Sequence, residues 1–464
     1  MLNRLGIVLL CLSVVGALKS DVELAFSWKQ LLFESLPLSE DAYIGSYPYY
    51  IPENNALSGL SHYAPGKLSI VTIARVRVGI PSTLNAFCDD DYEKGSSPRL
   101  FGFPNFQKNT LKPYFYNAGR NYGRSTGGRG RYSPGYYKYF NSTSQFEGRK
   151  YHNSKPYFSS DDDYTLVSVI VPSIHRECDR FYAVDTGVLE YGSSGSYKVQ
   201  SPAIIIYQLS PNVCSTRQIP LINRMDIPNH VYKNPAGFQR ITVDPDPKGS
   251  CDDVYYYLPN IYDNRLVVCD YKRGEFWYLT DETMNPVYAE SHMSYDGFQY
   301  SFPAGISVVN VGSADKDGNA NAYYAPIASY GLYATNTKLL KDNKRSYKVG
   351  WTDFITLGYR GCDRQSLTQN LDGATGVMFI QQMQFKQVRC WNTKHPLNSD
   401  TIGVVYQADD LDFVADIALD ADGYVWFLSG KFLKQYLTDV PLTHVSKIYR
   451  AKVTDIIRGT VCDA

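Results

Sequence analysis

This sequence has no surplus of either charge: 46 Lys and Arg stand against 46 Asp and Glu. A dedicated nucleic-acid binder needs excess cations for phosphate contacts, so that class is excluded. Beyond the N-terminus the chain has no apolar run of the ~18 residues that a membrane-spanning helix needs. The one long apolar stretch, Leu5 to Val15, is shorter than that and follows the basic start Met1 to Arg4. Small residues, Val15-Gly16-Ala17, come next. This is the layout of a secretory signal peptide. Residues 1–20 are therefore read as signal and 21–464 as a single secreted, extracellular domain with no membrane span.

Motifs of familiar chemistry are missing as well. There is no GxSxG, HExxH, P-loop or GxGxxG. No two cysteines stand at CxxC spacing, and no two of the seven histidines stand at metal-ligand spacing. Asp315-Lys316-Asp317-Gly318-Asn319 alternates oxygen side chains around a glycine, but Pro326 stands where a calcium loop needs its bidentate acid. It is read as a polar turn. No catalytic residue, metal or cofactor is expected, and enzymatic activity is not indicated.

Convincing helical periodicity is scarce too, and what replaces it is aromatic. Tyr occurs 40 times and Phe 21 times. Such residues suit pleated, half-buried strands. Strand signals run through Leu68–Val78, Thr165–Val171, Phe181–Val184, Ala203–Tyr207 and a hairpin over Val254–Leu258 and Leu266–Val268. They continue through Glu275–Leu279, Ile306–Val309, Tyr323–Ile327, Val377–Ile380, Ile402–Tyr406 and Val425–Leu428. A polar turn before an aromatic strand recurs at Cys178-Asp179-Arg180-Phe181, Cys251-Asp252-Asp253-Val254 and Asp422-Gly423-Tyr424-Val425. This loose repeat predicts an all-β propeller, which buries strand edges. Two β-sandwiches are the rival.

Once Cys11 leaves with the signal, eight cysteines remain as disulfide candidates: Cys88, Cys178, Cys214, Cys251, Cys269, Cys362, Cys390 and Cys462. Their connectivity stays open, although Cys251 and Cys269 do not face each other in the expected hairpin. Asn141 begins the one glycosylation sequon. It lies in an unusual stretch, Tyr114 to Phe158, with seven Gly, eight Lys plus Arg, one Glu and no Leu, Ile, Val or Met. Its nine tyrosines are Tyr114, Tyr116, Tyr122, Tyr132, Tyr136, Tyr137, Tyr139, Tyr151 and Tyr157. Without aliphatic residues it cannot build a core, so residues 114–163 are expected to form a flexible insert between blades. Its phenols are cross-linking candidates.

Several segments resemble the yellow / major royal jelly protein family of insects. They are Tyr50-Ile51-Pro52-Glu53-Asn54-Asn55, Arg75 with Gly79-Ile80-Pro81-Ser82-Thr83-Leu84-Asn85, and Cys178 through Gly187. Cys251-Asp252-Asp253-Val254-Tyr255, Arg389-Cys390-Trp391-Asn392-Thr393 and the tail Lys447 to Cys462 complete the set. Ala74 and Phe413-Val414 depart from the family pattern. The resemblance implies a six-bladed β-propeller with a central channel, in which first and last strands share a blade. Ser446–Lys452 is then expected to pair with the Leu68–Val78 region. It also implies one of several roles. The chain is read first as a structural or interaction component of an insect matrix, cuticle or eggshell, with matrix proteins as partners. Alternatively it binds a biogenic amine or catechol in the channel, with Thr83 and Phe379 on candidate inner strands. Dopachrome conversion ranks third.

Overall fold

The computed structural model describes residues 21–36, 43–44, 47–111, 164–190, 196–344, 350, 352–438 and 446–463. The signal segment, the 114–163 insert, Asn141 and the nine insert tyrosines lie outside the described residues.

Six antiparallel blades surround one axis. Blade I runs from the axis outward through Gly59–Tyr63, Leu68–Thr72, Leu84–Cys88 and Arg99–Gly102, with Leu32–Phe33 added parallel at its edge. Blade II is Ser173–His175, Arg180–Asp185, Ala203–Gln208 and Leu221–Asp226. Blade III is Thr242–Pro245, Val254–Asn260, Arg265–Asp270 and Glu275–Leu279. Blade IV is Ile306–Val311, Asn321–Pro326, Gly331–Asn336 and Phe354–Tyr359. Blade V is Gln369–Asp372, Val377–Gln381, Gln387–Asn392 and Ile402–Gln407.

Blade VI closes the ring. Phe413–Leu419 and Tyr424–Gly430 are followed by Ser446–Lys452, and the outermost strand is Glu23–Trp28 from the start of the chain. First and last strands do share a blade, but the partner of Ser446–Lys452 is Glu23–Trp28, not Leu68–Val78. Leu68–Thr72 has both edges taken, by Gly59–Tyr63 and Leu84–Cys88. Trp28 then donates from Nε1 to Pro98 O (2.7 Å), tying blade VI to blade I. Thr165–Val171, expected as a strand, makes only one isolated bridge, Val169 to Asp185.

Middle strands carry the bulk. Val254–Asn260 and Arg265–Asp270 are buried on both faces, and β-branched and aromatic residues fill the spaces between neighbouring blades. Three disulfides staple these layers. Cys88–Cys214 joins blades I and II, Cys178–Cys251 joins II and III, and Cys390–Cys462 ties blade V to the C-terminal segment. Cys269 corrects an expectation. It is a buried thiol opposite Tyr256 and Phe276 within blade III, where no other cysteine reaches it. Cys362, exposed after the last strand of blade IV, belongs to none of the three.

Candidate functional site

The innermost strands are short and polar, and the fold uses that polarity. Their inner edges cannot pair across the channel, so side chains stitch each blade to the next. Ser61 Oγ donates to Pro172 O (3.1 Å), Ser173 Oγ to Ile241 O (2.7 Å) and Thr242 Oγ1 to Val309 O (2.6 Å). Asn310 Nδ2 donates to Gln369 O (3.3 Å) and Asn370 Nδ2 to Ile417 O (3.0 Å). Leu60 N completes the circle by donating to Asp416 Oδ2 (2.9 Å). A side-chain hydrogen bond thus crosses every blade junction.

The strands enter the channel at an end packed with apolar side chains, including Ile170, Ile261, Ala304, Met383 and Ala415. At mid-depth the Arg240 guanidinium of blade III meets the Asp416 carboxylate of blade VI, and both side chains are nearly inaccessible to solvent (8% and 0% exposed). Burial pushes the Asp416 carboxyl up, opposed by Arg240 and by the Leu60 and Ile417 amides. Towards the other end a cavity of about 200 Å³ opens, bordered by residues of all six blades. That is room for about seven waters at liquid density.

Two histidines border this cavity and differ sharply. His62 donates from Nδ1 to Asp420 Oδ2 (2.9 Å) and from Nε2 to Asp89 Oδ2 (3.0 Å). Two carboxylate acceptors require both ring nitrogens to carry protons. Burial works against that charge, but the Asp420 and Asp89 hydrogen bonds and charges prevail and raise the His62 pKa to about 9. The imidazolium lies over the Trp426 ring, centroids 4.3 Å apart. His175 has no hydrogen-bond partner on either nitrogen, and burial pushes its pKa down. It stays neutral, 3.7 Å from Glu177 Oε2.

Arg176 follows on a one-turn 3-10 helix, Arg176–Cys178. Asp179 after it is left-handed (φ 48°) and accepts from Tyr63 OH (2.9 Å). Cys178 is bonded to Cys251, and Arg180 donates to Cys251 O (2.8 Å) and Asp252 Oδ1 (2.7 Å). The turn that carries Arg176 is thereby fixed to blades I and III.

Neither expected channel residue borders this cavity. Thr83 precedes the third strand of blade I, fully buried, and its Oγ1 accepts from Val169 N (2.9 Å). Phe379 lies on the second strand of blade V, in the core beside Phe427. The segments that carry the family resemblance are also structural. Arg75 donates to the carbonyls of Ile80, Pro81, Asn109, Leu166 and Val167. Asp185 accepts from Val167 N, Ser168 N, Gly187 N and Gln200 Nε2. Asp315 Oδ1 accepts from Asp317 N and Asn319 N, both 2.9 Å, which is a turn. Among the described residues no three His, Cys, Asp or Glu gather in a metal-holding group. Nor is any described helix long and apolar enough to cross a membrane.

Six blades, a ring closed by first and last strands, and one polar channel define a disulfide-braced β-propeller. The chain belongs to the major royal jelly protein family, whose model matches residues 167–462. Yellow-related salivary protein SP03 of Phlebotomus perniciosus is 29% identical over 465 residues, covering 98% of this chain and 99% of that one. Yellow-related salivary protein LJM11 of Lutzomyia longipalpis is 29% identical over 458 residues, covering 97% and 96%. Among solved structures, a protein of unknown function from Bacteroides thetaiotaomicron aligns with a TM-score of 0.43 and 10% identity, over 92% of this chain and 75% of its own.

Proposed function

We propose that this protein is a secreted binding protein that takes a small polar molecule into its channel. The observation that carries the reading is the cavity bordered by all six blades, walled by hydrogen-bonding side chains and packed shut at the far end. The salivary names of its relatives and the three disulfides fit release into an oxidising, extracellular setting. Amine binding is the version the wall favours least. A cationic amine wants aromatic faces or an open carboxylate, whereas no Phe, Tyr, Trp, Asp or Glu borders the cavity. The test is thermal unfolding against a panel of small metabolites. A ligand at 100 times its Kd should stabilise the native protein by about 2.7 kcal/mol. Val311→Trp, which places an indole in the cavity wall, should abolish that gain.

A second reading rests on a separate observation, the tyrosine-rich and basic composition of residues 114–158 with its sequon at Asn141. In this reading the segment anchors the protein covalently to cuticle, eggshell or another insect matrix through oxidised phenols. Peroxidase and peroxide should then give dityrosine fluorescence and oligomers from the full chain, and far less after deletion of 114–158. Equal cross-linking of both forms would remove the matrix role.

A further inference from the structure

We propose that Arg176 makes the channel selective for a small organic anion, a carboxylate in the simplest case, over cationic amines. The inference deepens the channel-binding reading and rests on it.

The guanidinium at the mouth is unusual for what it leaves undone. Arg75 is spent on five backbone carbonyls, Arg240 on Asp416, and Arg180 on Asp252 and Cys251 O. Arg176 borders the cavity, is exposed, and makes no hydrogen bond or ion pair with any described residue. The carboxylates of Asp420, Asp372 and Glu177 act on it only through space. A planar, permanently charged fork without a protein partner matches a carboxylate in shape and charge.

Two buried carboxylates near the cavity, Asp420 and Asp416, are already engaged. Asp420 Oδ2 accepts from His62 and from Trp426 Nε1 (2.8 Å), and its Oδ1 accepts from Asp422 N and Tyr424 N. Asp416 accepts from Arg240, Leu60 N, Ile417 N and Thr368. An incoming ammonium would meet the Arg176 guanidinium inside the wall, while Glu177, the exposed carboxylate beside it, stands outside the cavity lining.

A second, independent observation lies deeper in the wall. Asn310 is 6% exposed and borders the cavity, yet its Oδ1 has no hydrogen-bond partner. Its amide nitrogen is committed to Gln369 O, which fixes the orientation of the group. A buried acceptor left open asks for a donor. A hydroxyl on the ligand supplies one. The site so described takes an anionic group at Arg176 and a hydroxyl at Asn310. The Cys178–Cys251 bond and the Tyr63–Asp179 contact hold the arginine's turn in place beforehand, which lowers the ordering cost of binding.

The test uses the full secreted chain and three probes that share one ring and differ in charge: 3,4-dihydroxyphenylacetate, catechol and dopamine. Calorimetry on the native protein should rank the acid first and the amine last. Arg176→Gln should weaken the acid by about tenfold to a hundredfold, leave catechol nearly unchanged and tighten dopamine. Arg176→Lys should recover only part of the acid's affinity, since it keeps the charge and loses the fork. Dopamine binding at least as tightly as the acid would overturn the selectivity while leaving the channel reading intact. So would acid binding that survives Arg176→Gln but is lost in Val311→Trp. Acid binding that survives Val311→Trp would overturn the channel reading itself, and no binding of any probe would count against both.

Discussion

Arg75 and Arg176 sit on either side of the same blade and do opposite things. At the seam between blades I and II, Arg75 is 2% exposed and converts five carbonyls that have no strand partner into one cage. At the channel mouth Arg176 bonds to no described residue. The same side chain is cement where its donors are all used and is available for recognition where none is. For this pair of arginines, hydrogen-bond use, more than charge, separates the side chain that holds blades together from the one that is open.

The comparison breaks most visibly at Arg75. Arg75→Met should cost about 3–5 kcal/mol, because the carbonyls stay buried without donors. Arg75→Lys should be nearly as damaging, since an ammonium cannot span the cage. A denaturation midpoint close to that of the native protein would show that the seam does not depend on it. Cutting the staple behind the other arginine comes next. Cys178→Ser with Cys251→Ser should cost about 2–4 kcal/mol, and it should also blunt any discrimination between acid and amine. Loss of stability with selectivity intact would separate the staple from the mouth.

A pH series sharpens the contrast through His62. Its folded pKa is raised to about 9 from the usual histidine value of 6.5. The stabilisation it brings is therefore full below pH ~6.5 and lost as the pH climbs through about 9, with an upper size of about 3 kcal/mol. Unfolding of the native protein should weaken across that window, and His62→Asn should flatten the slope. A native profile as flat as the variant's would mean that the Asp89–His62–Asp420 bridge is not charged. The smallest effect belongs to Arg176→Gln, which should change stability by no more than about 0.5 kcal/mol. A loss above 1 kcal/mol, on the scale of a structural contact, would make this arginine cement as well.

The all-β propeller class and the family were legible because both live in the middle strands and the turns beside them; the count of six was implied by the resemblance alone. Val254–Asn260 and Val377–Gln381 are buried on both faces and so spell out β-branched and aromatic runs. The channel wall was not legible for the opposite reason. Ser173–His175, Thr242–Pro245 and Gln369–Asp372 are short and polar, with Ser, Thr and Asn chosen for bonds to the next blade. They resemble loops, and candidate ligand residues were placed instead on the hydrophobic segments around Thr83 and Phe379. Disulfide pairing was hidden too, because Cys88 meets Cys214 only once two blades have stacked. The partner of the final strand was missed because Glu23–Trp28 packs as an edge and carries a weak signal. The one sequence clue to the mouth was adjacency: His175 and Arg176 stand just before the Cys178–Gly187 segment that carries the family resemblance.

Sharing blade VI between the two ends of the chain sets a schedule. Glu23–Trp28 is made early, yet its partner Ser446–Lys452 comes more than four hundred residues later. At ~5–20 residues per second that is a wait of roughly 20–80 s. Throughout it Phe26 and Trp28, which end in the core at 5% and 1% exposure, sit on a strand with no partner to pair with. The late strand is also interior to its sheet, bonded to Tyr424–Gly430 on one side and Glu23–Trp28 on the other. Loss of that one strand therefore leaves Glu23–Trp28 without a partner and opens an edge on Tyr424–Gly430, which keeps only Phe413–Leu419. For this molecule, closure of the ring waits on Ser446–Lys452.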